Sequence, residues 1–167
     1  MNKIIKERRS IRKFQAGKPV SPEQIRALLE AAMLAPSAHN SRPWEFTVIT
    51  KREILDELAA VHPYAKMCKT AAAAILVTAI PQTGKGEGFY PQDCGAATQN
   101  ILLEAVSQGL GACCCGVYPK ENVMADFHRI FDVQEPKIPF CLIALGVPDE
   151  DPHCRGFFEE SKVTYIS

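Results

Sequence analysis

The residues with the most chemistry to offer crowd near the start of the chain, where Arg8, Arg9, Ser10 and Arg12 fall within five positions. Guanidinium forks beside a hydroxyl suit a phosphate. The same cluster also fits a solvated helix end, where cations meet the negative pole of the macrodipole, and residue chemistry alone leaves both readings open. A second concentration is GLGACCCG, residues 109–116. It has the glycines of a nucleotide-binding turn, but that fingerprint follows a strand and opens a helix. Here a helix precedes and a strand follows, so the reading fails. GKGEG at 84–88 lacks the spacing of a phosphate loop. Cys113 and Cys115 would share one strand face, yet no spacing joins them to a histidine as zinc ligands are joined, so no metal is expected. A cysteine nucleophile needs a base, and spacing assigns none of His39, His62, His128 or His153 to that role.

The elements that must position these groups belong to one soluble globule, residues 1–167. Of its residues 47% are apolar and 23% charged, with 19 Lys plus Arg against 19 Asp plus Glu. That balance gives no case for nucleic acid or a membrane surface. The longest apolar run, 71–80, is half of what spans a bilayer, where about 20 residues are needed. It reads as a buried strand. The start is too charged for a signal peptide. Seven cysteines, three of them consecutive, make a poor disulfide framework. A reducing cytoplasm is expected, with thiols used as small hydrophobes.

Along the chain, residues 2–9 predict a short helix. Ser21, Pro22 and Gln24 predict a capped helix start, followed by an apolar stripe of Ile25, Leu28, Leu29, Ala32 and Met33 and a stop at Pro36. Residues 44–50 read as a strand, with Trp44 in the core, and 52–61 as a helix. Then come a buried strand at 73–80, a mobile glycine-bearing loop at 81–90 and a long helix at 92–108. Small residues Gly95, Ala96 and Ala97 on that helix suit close approach of another helix. Gly109 and Gly111 end it. A strand at 112–117, a helix at 120–131, a strand at 140–147 and a fifth strand at 163–166 complete the order. Such alternation around one sheet is α/β or α+β.

RRSIRKF, APSAHNSRPWEF, QDCGAATQNILLEAVSQGLGACCCGVYP and IALGVP, in that order and over nearly the whole chain, resemble the FMN-dependent nitroreductase family. The resemblance implies an α+β fold of three layers, α/β/α, around a mostly antiparallel sheet. It also implies an intertwined homodimer with FMN at the subunit interface. By the same resemblance Arg8 and Ser10, with Arg9, hold the flavin phosphate and ribityl chain, and Arg12 lies beside the N1–O2 edge of the ring. Pro36, Ser37 and Ala38 form a loop laid on the partner's flavin, anchored by Asn40. Cys114, Cys115 and Gly116 form a strand end whose backbone faces the ring, and Arg155 returns to the phosphate. Arg42 stands where the family often has glutamine, and Cys114 where many short members place tryptophan.

The implied function is an FMN-dependent NAD(P)H oxidoreductase with ping-pong kinetics and nitroaromatic, quinone or similar acceptors. No side-chain acid or base is required, and Arg12 serves as electrostatic stabiliser of the reduced flavin. Reductive dehalogenation, reduction of activated double bonds and a flavin-binding sensor with little turnover remain alternatives on the same fold.

Overall fold

Strong local signals set the first half of the chain. In the computed structural model, which describes residues 1–153 and 156–166, a short helix α1 (Lys3–Glu7) opens the chain. It is shorter than 2–9 because Arg8 is already extended. Helix α2 (Pro22–Met33) carries the expected capping box: the Gln24 N–H donates to Ser21 Oγ at 3.2 Å and the Ser21 N–H to Gln24 Oε1 at 3.0 Å. Strand β1 (Trp44–Ile49), helix α3 (Arg52–Val61) and strand β2 (Ala73–Ala79) follow as the patterns predict.

The second half keeps the predicted order and shifts some bounds. Helix α4 (Tyr90–Ser107) begins two residues early, with Pro91 in its first turn, where a missing N–H costs nothing. Strand β3 (Gly111–Gly116) and helix α5 (Glu121–Phe131) come next. Strand β4 (Ile138–Gly146) starts two residues before the predicted 140, because a register irregularity beside Thr78 accommodates Pro139. The 81–90 loop contains a 3-10 turn at Gly84–Gly86. The fifth strand is not formed: after a 3-10 turn at Glu160–Lys162, residues 163–166 are exposed and pair with no strand of their own chain.

Among the described residues the sheet has four strands in the order β1-β2-β4-β3, every neighbouring pair antiparallel. The inner strands are buried on both faces. Ala74, Leu76, Leu142 and Ala144 face a core shared with α3, α5 and the 3-10 turn Lys66–Lys69. Ile75, Val77, Cys141, Ile143 and Leu145 face a second core closed by α2 and α4. These are the three layers of an α+β fold. No described helix is long and apolar enough to cross a membrane.

One irregular segment is fastened to the sheet by shape. The Ile11 N–H donates to Ala112 O at 3.0 Å and the Gln15 N–H to Val147 O at 2.9 Å, extending the sheet at residues 10–15. Ile11 and Phe14 then press on two strand glycines. A Cβ at Gly111 would lie 2.7 Å from Ile11 Cγ2, and one at Gly146 2.9 Å from Phe14 Cδ1. Only glycine leaves room for this approach.

Candidate functional site

The docked segment turns its polar residues outward. Arg8, Arg9, Ser10 and Arg12 line a hollow of about 320 Å³, joined by Pro152, His153 and Gly156. No carboxylate lines it among the described residues. Arg9, one of the lining residues, has its Nε buried without a hydrogen-bond partner among the described residues. Glu150 lies nearby but is engaged elsewhere: Oε1 accepts from the backbone N–H groups of Arg12 and Lys13. Backbone placement of Arg12 therefore comes from Glu150 and leaves its guanidinium available to the hollow. A compact anion with several acceptors, such as a phosphate monoester, matches this donor set.

Arg12 also borders a second and larger cavity, about 510 Å³, along the outer edge of β3. Cys113, Cys114, Cys115 and Gly116 form one wall; Tyr64, Lys66 and Met67 form the other. Ladder groups alternate in direction. Because the Ala112 carbonyl points outward to Ile11, the backbone of Cys114 turns to the same open edge. Side chains on the two faces of β3 differ. Cys113 and Cys115 are buried against the α3–α5 core, whereas Cys114 is exposed. Interaction with the neighbouring Cys115 thiol, with Arg12 close by, brings the Cys113 thiol down to about 7, and the same interaction pushes Cys115 up. Burial drives Cys68 and Cys94 up to about 12. Among the described residues no three His, Cys, Asp or Glu are grouped to hold a metal ion.

The remaining expected residues lie elsewhere. Pro36, Ser37, Ala38 and Asn40 line neither cavity; they belong to the loop between α2 and β1. His39, Asn40 and Arg42 sit there at φ of 53°, 53° and 49°, left-handed backbone that is uncommon outside glycine. Internal bonds hold the shape: Ser37 Oγ accepts from the Arg42 N–H at 2.9 Å, and Asn40 Oδ1 from Arg42 Nε at 3.1 Å. A tie to the rest of the fold is Asp93, in the first turn of α4, whose Oδ1 accepts from the Ala38 N–H at 3.0 Å. Asp93 is 7% exposed, and its Oδ2 is buried without a partner. Arg155 lies outside the described residues.

Residue types alone did not point to Tyr64, Lys66, Met67, His62 or Asp93. The available signals were weak: an aromatic and a lysine between α3 and β2, and an acid in the first turn of a helix.

A polar hollow and a larger cavity that share Arg12 in their linings, at the edge of an antiparallel sheet between helical layers, define a small α+β protein with a cationic site beside an open strand edge. Known proteins place it further. The family model described as Nitroreductase family matches residues 5–62 and 60–147. A provisionally named NADH dehydrogenase/NAD(P)H nitroreductase of Methanothermobacter thermautotrophicus is 46% identical over 159 residues, 95% of this chain and 83% of the relative. An FMN-dependent nitroreductase of Clostridium difficile superposes with a TM-score of 0.89 at 27% identity, covering 100% of this chain and 99% of that one. A provisionally named nitroreductase of Desulfovibrio desulfuricans, solved in complex with FMN, has a TM-score of 0.82 at 27% identity over 100% and 98% of the two chains. The chain belongs to the nitroreductase family.

Proposed function

We propose that this protein is an FMN-dependent NAD(P)H oxidoreductase of the nitroreductase type, active on nitroaromatic, quinone or similar acceptors. The observation that carries the reading is the pair of cavities joined at Arg12. One is polar and cationic, with donors that suit a phosphate; the other is larger and lies beside an open strand edge. The residues present fit FMN, since the unsatisfied Arg9 Nε and the guanidinium set supply donors for one terminal phosphate. Bound FMN would supply the two-electron redox chemistry between NADH or NADPH and the acceptor.

The chain's own part is binding and electrostatics. Arg8, Arg9 and Ser10 hold the phosphate. Arg12 and Lys66 keep positive charge at the cleft, where negative charge developing on the ligand is stabilised. The Cys114 backbone meets the ligand as a polar edge. No carboxylate lines the cleft among the described residues, and no side-chain proton donor is assigned.

The site is completed by a second copy of the chain. The 36–42 loop lines neither cavity of its own chain, which supports its use against the partner's flavin. Exposed apolar residues also call for a cover: Leu34 is 83% exposed, and Phe157, Phe158 and Ile166 stand clear of the core. All six described cysteines are unbridged, which supports a reducing, cytoplasmic setting.

The test begins with the spectrum of the purified protein. It should be yellow, release FMN on denaturation and bleach with NADH or NADPH, then turn over many times when an acceptor is added. Colourless protein unable to take up FMN would overturn the reading; bleaching without repeated turnover would leave a binder, not an enzyme. Added FMN should also shift dimer dissociation to lower protein concentration in a dilution series. A monomer that binds FMN at full affinity would remove the shared site.

A further inference from the structure

We propose that His62 is a positioning residue that fixes the width of the cleft by strapping its two walls together. What the cleft holds rests on the function proposed above; the strap is a property of the chain itself. His62 follows the last turn of α3 and is fully buried. Its ring meets Phe127 of α5 edge-on, with centroids 6.1 Å apart, and Tyr64 at 6.3 Å. Both nitrogens are used. The Tyr64 N–H donates to Nδ1 at 3.1 Å, and Nε2 lies 3.1 Å from the Gly116 carbonyl.

These partners leave one arrangement of protons. A carbonyl only accepts, so Nε2 carries the hydrogen; Nδ1 faces an N–H, so it carries none. The neutral Nε2–H tautomer satisfies both groups at once, and an imidazolium would break the bond to Tyr64. Burial, with the Lys120 ammonium, opposes the charged form. The two groups joined are the ones that matter to the cleft, since Tyr64 lines one wall and Gly116 ends the other.

Tyr64 is gripped a second time. Cys115 Sγ donates to its carbonyl at 3.3 Å, so both backbone groups of Tyr64 are tied, one to His62 and one to β3. Tyr64 as a residue remains 66% exposed, with Lys120 Nζ 4.7 Å from its ring centroid. A tethered backbone in an exposed residue makes Tyr64 a firm planar surface at the cleft rim, where an aromatic acceptor stacks. Without the strap the wall keeps its residues and loses its spacing.

The experiment compares His62→Phe, His62→Gln and His62→Asn with Val123→Ala, which loosens the α5 side of the same core without touching either bond. Two readouts are taken on the protein as purified: the rate of Cys115 alkylation by iodoacetamide, and kcat and KM with an aromatic acceptor. Phenylalanine keeps the ring packing and loses both hydrogen bonds. It should speed labelling of Cys115 about tenfold and raise KM several-fold, with kcat changed less than about twofold. Glutamine keeps a donor toward Gly116, asparagine an acceptor toward Tyr64, and both should fall between wild type and phenylalanine. Val123→Ala should lower Tm while leaving labelling and KM near wild type. Wild-type labelling in His62→Phe would overturn the proposal. So would carboxamide variants as poor as phenylalanine, or Val123→Ala matching His62→Phe at equal loss of Tm. If wild-type protein oxidises no NAD(P)H, the functional reading fails, and the order of labelling rates still decides the strap.

Discussion

Residues 8–15 and 36–42 are both irregular, both polar and both expected at the ligand, yet they are held in opposite ways. The first is keyed into the sheet: Ile11 and Phe14 sit on Gly111 and Gly146, backbone bonds extend the ladder, and its residues line a hollow of their own chain. The second is held by internal hydrogen bonds, three left-handed residues and one buried carboxylate, and it lines neither of the two cavities described above. Shape fixes the segment proposed to hold the anion. Strain and the bond to Asp93 hold the segment proposed to serve a neighbour. Strained backbone persists only where its surroundings over-determine it, and here Asp93 supplies that determination.

The comparison can be broken most forcefully at the glycine seat. Gly111→Ala would place a methyl group 2.7 Å from Ile11, against a β-branched side chain with little room to yield. Overpacking costs about 1–3 kcal/mol, so Tm should fall by several degrees and FMN affinity with it. Unchanged FMN affinity measured by fluorescence titration would show that the keyed segment does not set the hollow.

Next come the arginines that the seat presents. Arg8→Ala should weaken FMN binding about tenfold or more, since a charge-assisted contact contributes about 1.5–3 kcal/mol. Arg12→Ala should weaken binding less and instead lower the midpoint potential of bound flavin. Potentiometry that finds no shift for Arg12→Ala removes its electrostatic role at the cleft.

Asp93→Ala tests the other segment. It strands the Ala38 N–H and frees the strained loop, at about 1–3 kcal/mol for a buried unsatisfied group. FMN uptake should fall while the fold of the isolated subunit is retained, and Asp93→Asn, which still presents an acceptor, should recover most of it. Equal loss in both variants would mean that charge, not the bond to Ala38, is what the loop needs.

The smallest effect concerns pH. Burial holds the His62 imidazole below its ordinary value of 6.5. The unfolded chain therefore takes up this proton first as pH falls. The contribution is fully present above about pH 6.5 and is lost below it. Tm should decline more steeply for wild type than for His62→Phe between about pH 6.5 and pH 5. Parallel curves would place the His62 titration at its unperturbed position.

Much of this was legible because it is local. The capping box at Ser21, the bounds of α3 and the order of elements depend on neighbours within a few residues. RRSIRKF is compatible by residue type with an anion site and equally with a solvated helix end, and only the family resemblance chose between them. What the sequence hid depends on distant partners. Pro139 hides the start of a central strand until the irregularity beside Thr78 is known. Residues 163–166 have a strand's composition and lack a strand to pair with. Tyr64, Lys66 and His62 reach the cleft only because α3 packs its C-terminal end beside β3, and Asp93 meets Ala38 across 55 positions.

The half-covered edge of β3 carries a consequence for how the protein behaves when empty. Residues 10–11 bridge the strand at Ala112, and beyond that point its backbone opens into the cleft. An open edge is a template on which another chain can add a strand. Arg12 and Lys66 guard it with like charge, a protection that fades as salt screens it. A ligand seated there would cap the edge as a covering strand does, so occupancy should decide colloidal behaviour as well as chemistry. Protein stripped of its ligand and held in high salt is the form that should cloud first.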